Sequence, residues 1–153
     1  IFSALVILGG GGYGAFREMQ RRQIPAPVWA LIGGAGELEY LTFGDPSKHP
    51  TAEKLHGYTI VSRVPASTPP ARAELASAIR RSLNGFAYEG MVPGASGAIR
   101  VTGESKTYDL LFSFYGGYKM GLLRLYEGDK GVASMFFFEP FSELEALFAP
   151  PPP

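Results

Sequence analysis

Three charged residues in the second half of the chain are spaced so that a β-sheet would bring them together. Arg100, Asp109 and Arg124 each lie in a run of alternating apolar and polar residues, and turn-forming residues separate the runs. If residues 103–106 form the loop of a hairpin, Arg100 faces Asp109. If residues 116–117 form a two-residue turn, Asp109 faces Arg124. The pattern therefore predicts a carboxylate between two guanidinium groups on one sheet face.

Such a cluster has two interpretations. A carboxylate flanked by two guanidinium groups carries net positive charge and could bind an anion. Charge pairing across neighbouring strands explains the same residues without a ligand, and each pair then contributes about 0.2–1 kcal/mol. Both interpretations stay open, and charge pairing is the simpler.

His56 is the side chain that could add acid–base chemistry to this cluster. It lies at the start of a predicted strand, with Glu53 three residues before it. Nothing in the sequence supplies a nucleophile, because Ser96 lacks the pattern of a nucleophile elbow. If His56 lay beside Arg100 and Asp109, the chain could be a small hydrolase or an anion-binding enzyme. The predicted binding residues are therefore Arg100, Asp109, Arg124 and His56.

The composition excludes several kinds of site. Fourteen basic and fourteen acidic side chains cancel, so no global field favours nucleic acid. The absence of Cys excludes disulfides, thiolate metal ligands and cysteine nucleophiles. His49 and His56 alone are too few for a histidine-rich metal centre. We therefore predict no catalytic residue, no metal, no cofactor and no nucleic-acid partner.

Periodicity predicts the elements that must position these residues. Residues 57–64 alternate as a strand, and residues 70–84 form a helix with apolar side chains every four residues. Residues 97–138 indicate a four-stranded antiparallel meander, and residues 141–148 a short helix with a capping box. The predicted fold class is α+β: strand, covering helix, four-stranded meander and short C-terminal helix.

The alternation also assigns the two faces of the meander. One face is apolar and should lie under the helix; it consists of Ile99, Val101, Tyr108, Leu110, Phe112, Phe114, Leu123 and Leu125. The other face carries the charged cluster with Leu111 and Leu122, and we expect it to be open. An open face of mixed charged and apolar groups more often meets another surface than hosts catalysis, so a protein partner is predicted there.

The N-terminal residues 1–16 carry no charge and contain four consecutive glycines. They are short for a membrane span, which needs about 20 residues. An export segment, an anchor continued upstream and a buried N-terminal element all stay open. Export or anchoring is favoured, because four glycines would weaken a core helix. The predicted localisation is therefore at the membrane or outside the cytoplasm.

Three further segments complete the predicted organisation. Residues 17–54 form a connector rich in Pro and Gly, and within it residues 28–32 are an apolar island that packs in the core or lies on a membrane surface. Residues 55–149 are the α+β domain. Residues 150–153 form a proline tail.

The domain resembles an uncharacterised family of small exported or membrane-anchored bacterial proteins. The matching stretches are Leu-His-Gly-Tyr-Thr-Ile-Val at 55–61, Gly-Ala-Ile-Arg-Val at 97–101, Lys-Thr-Tyr-Asp-Leu-Leu at 106–111 and the closing segment 141–148. The resemblance implies an export segment, which fits residues 1–16, and implies no activity. Family members commonly carry Cys and an Arg-His pair before the Gly-x-Arg strand and two Cys around the next turn. This chain lacks them, so no metal or redox role carries over.

Together these features predict a non-catalytic binding or interaction module outside the cytoplasm. The alternative is a small hydrolase or an anion-binding enzyme that uses His56 with Arg100 and Asp109. The two differ in one observable property, because an enzyme needs His56 in a cleft beside the charged face.

Overall fold

An antiparallel sheet of seven strands forms the framework of this protein. The structure is a computed structural model, and it describes residues 12, 14–15, 18–19, 22–65, 69–83, 94–115, 120–137 and 141–148. The strands are β1 (Glu37–Gly44), β2 (Lys54–Leu55), β3 (Tyr58–Pro65), β4 (Gly97–Thr102), β5 (Thr107–Tyr115), β6 (Met120–Glu127) and β7 (Lys130–Phe137). Their order across the sheet is β2-β3-β1-β4-β5-β6-β7. The helices are α1 (Ala26–Ala30), continued by a π-helical turn (Leu31–Ala35), α2 (Pro69–Ser82) and α3 (Phe141–Ala146). The α+β class is confirmed.

The first hairpin of the meander has the predicted register. β4 and β5 pair so that Arg100 lies opposite Asp109 and Thr102 opposite Thr107. The loop at 103–106 closes with a hydrogen bond from the Gly103 amide to the Lys106 carbonyl. The Arg100–Asp109 juxtaposition is therefore confirmed.

The second hairpin corrects the predicted register by two residues. β5 and β6 pair with Tyr115 opposite Met120, so Asp109 faces Tyr126 and Arg124 faces Leu111. A two-residue turn at 116–117 is therefore wrong, and residues 116–119 lie outside the described part of the chain. The error has a physical reason: because side chains alternate with a period of two, a slip of two residues keeps every side chain on its face.

The apolar face of the meander forms the main core, as predicted. Leu110, Phe112 and Leu123 are fully buried there in one cluster with Ile79 of α2 and with Leu83, which directly follows that helix. Burying a side chain of this size stabilises the fold by about 1.5–3 kcal/mol. The segment 28–32 also packs here, since Val28 and Ile32 are completely buried.

A central strand lies in the segment that the sequence assigned to a connector. β1 (Glu37–Gly44) pairs with β3 on one side and β4 on the other. Its even-numbered Leu38 and Tyr40 face the main core, whereas Leu41 and Phe43 face a second cluster on the other side of the sheet. A strand buried on both faces loses the alternation that identifies a half-buried strand. The predicted order of elements was therefore incomplete, because two further strands precede α2.

The face predicted to be open is covered over much of its area. Leu41, Ala98 and Leu111 are completely buried on it, and Leu55 of β2 and Ile60 of β3 are buried beside them with 7% exposure each. In a flat sheet β3 and β5 would lie about 14 Å apart, because three strand spacings separate them. The sheet is therefore curled, and the β2–β3 hairpin folds over the charged face.

The predicted export segment falls almost entirely outside the described residues. Only positions 12, 14 and 15 of residues 1–16 are described. In the part of the chain that the structure covers, no helix combines the length and the apolar character needed to cross a bilayer. Residues 149–153, including the proline tail, also lie outside the described ranges.

Candidate functional site

The tip of the β2–β3 hairpin delivers His56 to the charged face. β2 and β3 pair through Leu55 and Tyr58, so His56 and Gly57 are the two central residues of the turn. Both have positive φ, +49° for His56 and +86° for Gly57. A two-residue I′ turn requires positive φ at both positions, which suits Gly but costs a side-chain-bearing residue about 1–2 kcal/mol. The contacts of the His56 side chain must offset that cost.

Those contacts form the Asp109 cluster, which consists of Asp109, Arg100 and His56. Arg100 donates from Nε to Asp109 Oδ1 at 2.7 Å and from Nη2 to Oδ2 at 3.0 Å, a bidentate pair. His56 Nε2 lies 2.8 Å from the same Oδ2. The Asp109 side chain is 1% exposed and that of His56 8% exposed. The carboxylate is thus enclosed and its charge is compensated.

The tautomer of His56 follows from these partners. An ionised carboxylate paired with a guanidinium can only accept hydrogen bonds, so His56 Nε2 must carry the proton. The imidazole also stacks on Tyr126, with ring centroids 3.9 Å apart and planes inclined by 21°. Two independent contacts therefore hold the ring, one to β5 and one to β6.

Arg100 is the most exposed member of the cluster, at 23% for its side chain. The hydrogen bonds to Asp109 raise the pKa of Arg100 above its usual value, while its partial burial acts in the opposite direction. Glu39 and Glu53 add to the rise in pKa, and both also form ion pairs with Arg63 at 3.1 and 2.6 Å. Arg100 therefore lies in a charge-balanced surface rather than facing an empty anion site.

Arg124 is separate from this cluster, contrary to the predicted cluster of three. It lies opposite Leu111 and Ser134 on the neighbouring strands. Its Nη2 donates to the Tyr58 hydroxyl at 2.9 Å, and its guanidinium carbon lies 5.6 Å from the Tyr58 ring centroid. Its Nε is buried and finds no hydrogen-bond partner among the residues that the structure describes. We call Arg124 with Tyr58 the Arg124 site.

Of the four residues predicted to bind, three converge and one lies apart. His56, Arg100 and Asp109 meet within hydrogen-bonding distance. Two aromatic participants were missed, Tyr58 beside Arg124 and Tyr126 beside His56. The sequence carried a signal for the turn only, because a His-Gly pair between strand-forming residues suggests a tight hairpin with its flanking residues opposite each other. It carried none for the contact of Tyr58 with Arg124, which depends on the curl of the sheet.

The chemistry open to the Asp109 cluster is limited by its burial. A His–Asp pair is the base half of a hydrolytic site, yet the structure places no serine or threonine hydroxyl in hydrogen-bonding contact with His56 among the described residues. Nor do those residues include a group of three or more acidic or His side chains that could hold a metal ion. Three cavities lined by described residues lie elsewhere, one of about 540 Å³ beside Gly34 and Glu104, one of about 450 Å³ beside Trp29 and one of about 210 Å³ beside Tyr40.

Comparison with known proteins adds no relative. No protein-family model matches the chain. Neither a curated protein nor a solved structure is significantly similar to it. The resemblance described from residues 55–149 therefore stays a prediction.

Proposed function

We propose that this protein is a non-catalytic binding or interaction module that acts outside the cytoplasm or at the membrane. The observation that carries the first part is the saturation of Asp109. Arg100 and His56 both direct their donors to one buried carboxylate, and the three groups sum to no net charge if His56 is neutral. A general base needs access to the proton that it removes, and the side chains of Asp109 and His56 are only 1% and 8% exposed, which restricts that access.

The cluster has a clear mechanical role instead. It holds the tip of the β2–β3 hairpin against β5 and so closes the curled face around Leu41, Leu55 and Leu111. Buried polar contacts of this kind fix one arrangement among several that apolar packing would tolerate. A rigid scaffold with a shaped surface is what a binding module requires.

The proposed partner surface is the part of the charged face that the β2–β3 hairpin leaves uncovered. On the same sheet face, Ser134 of β7 is exposed and Arg124 of β6 is half-buried. We place the protein partner predicted from the charged face at this β6–β7 end. Localisation at the membrane or outside the cytoplasm rests on the apolar, uncharged residues 1–16.

One observation favours the alternative, a small hydrolase or an anion-binding enzyme. His56 meets Asp109 at 2.8 Å, and the ring is held in a strained turn, which is a feature that active sites share. In that alternative His56 Nδ1 would activate a water molecule, with Asp109 and Arg100 orienting the ring. The two candidates differ in whether the protein turns over a substrate.

A hydrolysis assay separates them. The full chain and its His56→Gln variant are incubated with p-nitrophenyl acetate and p-nitrophenyl phosphate, and product is followed by absorbance. If the protein is a binding module, both proteins should release product at the same rate, and at most one product molecule per protein molecule. The enzyme would be established instead by multiple turnovers of the unaltered chain, with a turnover rate at least tenfold lower in His56→Gln and an unchanged circular dichroism spectrum.

Localisation needs a separate test. The full-length protein carries a C-terminal epitope tag, and cells are divided into cytosolic, membrane and exported fractions. A matched variant with Leu5 and Ile7 changed to Asp should lose membrane or exported material, because two charges disrupt an apolar segment. Recovery of the unmodified protein entirely in the cytosol would remove this part of the proposal.

A further inference from the structure

The guanidinium of Arg124 is an incompletely compensated cation in a largely enclosed position. Among the described residues it makes one hydrogen bond, from Nη2 to the Tyr58 hydroxyl. No described carboxylate lies within 4 Å of it, whereas Arg63 has two such partners and Arg100 has one. Its Nε is buried and has no partner in the described part of the chain, and leaving such a charged donor unsatisfied is costly. A negatively charged acceptor beside the exposed part of the guanidinium would compensate this cation.

The surroundings of Arg124 specify the charge of that acceptor. In the neighbouring Asp109 cluster Arg100 compensates Asp109, so the cluster carries no net charge when His56 is neutral. The site therefore offers one positive charge. A monoanion brings it to neutrality, whereas a dianion would leave excess negative charge in a partly desolvated place, which is unfavourable.

Tyr58 supplies the second donor and an aromatic wall. Its oxygen accepts the hydrogen bond from Arg124, so its own hydroxyl proton remains available for a ligand oxygen. Its ring stacks on Phe43 with centroids 5.2 Å apart and planes inclined by 16°. A planar group carrying two acceptor oxygens could bind the guanidinium and the hydroxyl together while its apolar part lies along the aromatic pair.

From these features we infer that the Arg124 site binds a carboxylate monoanion attached to an apolar or aromatic body. The ligand carboxylate accepts from the guanidinium of Arg124 and from the Tyr58 hydroxyl. This inference rests on the proposed function, because it names the chemical class that the binding module recognises. It assigns no role in ligand contact to His56, Arg100 or Asp109.

Sodium benzoate is the probe, and benzamide is its neutral counterpart of equal shape. Binding to the full chain is measured by isothermal titration calorimetry at constant ionic strength and by the ¹⁵Nε resonance of Arg124. We expect benzoate to bind and shift that resonance, and benzamide to bind at least tenfold more weakly. Sulfate, a dianion, should also bind at least tenfold more weakly than benzoate.

The variants test the two residues separately. Arg124→Met should weaken benzoate binding at least tenfold, and Tyr58→Phe by about fivefold, since it removes one neutral hydrogen bond and keeps the ring. Arg124→Lys keeps the charge but not the planar fork, so it should bind benzoate more weakly than the unaltered chain. Arg63→Met is the matched control, because Arg63 already has two carboxylate partners. It should bind benzoate as the unaltered chain does.

Three results would overturn the inference: undiminished benzoate binding by a folded Arg124→Met or Arg124→Lys variant, equal binding of benzamide, or tighter binding of sulfate. Should Arg124→Met fail to fold, Arg124→Lys and Tyr58→Phe decide the question. These failures are distinct from failure of the proposed function. The latter is signalled by substrate turnover that depends on His56, which no benzoate measurement reports.

Discussion

His56 Nε2 lies 2.8 Å from Asp109 Oδ2, although 53 positions separate the two residues in the chain. The contact joins the tip of the β2–β3 hairpin to β5, across the positions of β1 and β4 in the sheet. It exists only because the sheet curls. The same contact therefore reports on closure of the fold, and changes to either residue should be felt across the second apolar cluster.

Replacing Asp109 by Asn should destabilise the protein by about 3 kcal/mol, because it leaves the guanidinium of Arg100 partly buried without its counter-charge. The value is at the low end for a broken buried pair, since the Arg100 side chain retains 23% exposure. Urea unfolding of both proteins gives the difference in free energy of unfolding.

Asp129→Asn is the matched control for that substitution, because Asp129 is exposed in the β6–β7 turn. It should change the free energy of unfolding by no more than about 0.5 kcal/mol. Equal effects at the two positions would show that the Asp109 cluster contributes nothing to stability.

Changing His56 to Asn separates the turn from the hydrogen bond. Asn-Gly is the most favoured dipeptide of an I′ turn, so the backbone gains, while the shorter side chain loses the contact to Asp109 and the stack on Tyr126. We expect a net loss of about 1–2 kcal/mol, since a hydrogen bond to a charged group is worth more than the turn preference. His49→Asn, at an exposed site, should have little effect. A more stable His56→Asn protein would mean that the turn dominates.

The sequence predicted correctly which face of the sheet each side chain occupies, but it predicted the pairing register of the strands less well. The reason is that side chains of a strand alternate with a period of two residues. Alternation identified Leu110 and Phe112 as core and Asp109 and Leu111 as the opposite face, as observed. It could not distinguish Arg124 facing Asp109 from Arg124 facing Leu111, because both arrangements keep the same faces.

Contacts that depend on curvature could not be predicted at all. β1 escaped notice because Tyr40 and Leu41 are adjacent and both face apolar clusters, which removes the alternation of a half-buried strand. Without β1, nothing in the sequence indicated that the β2–β3 hairpin would fold over Asp109. The contact of His56 with Asp109 was therefore only a hypothesis, and the enclosed cluster appeared as an open face.

At the junction of α1 and α2, replacing Arg72 by Lys should destabilise the protein. Its guanidinium donates to the backbone carbonyls of Leu31, Ile32 and Gly36, which belong to the π-helical turn and its end. A lysine ammonium lacks the planar fork with which the guanidinium reaches three carbonyls. Arg72→Lys should therefore lower the free energy of unfolding by about 2 kcal/mol. Arg81→Lys, on the exposed side of the same helix, should cost less than about 0.5 kcal/mol. Similar losses in the two variants would contradict this role.

Tyr40 should make the protein sensitive to alkaline pH. Burial raises the pKa of Tyr40 above its ordinary value, and the nearby charge of Arg72 lowers it by less. A group with a raised folded-state pKa binds its proton more tightly when folded, so its contribution is complete below the unfolded pKa of about 10 and is lost as pH rises through the folded pKa. Urea midpoints are measured between about pH 8 and about pH 11.5, a range that brackets the unfolded pKa of tyrosine. With rising pH they should fall more steeply for the unaltered chain than for Tyr40→Phe. The difference between the two proteins at pH 8 supplies the reference, and parallel curves above pH 10 would show that ionisation of Tyr40 does not oppose folding.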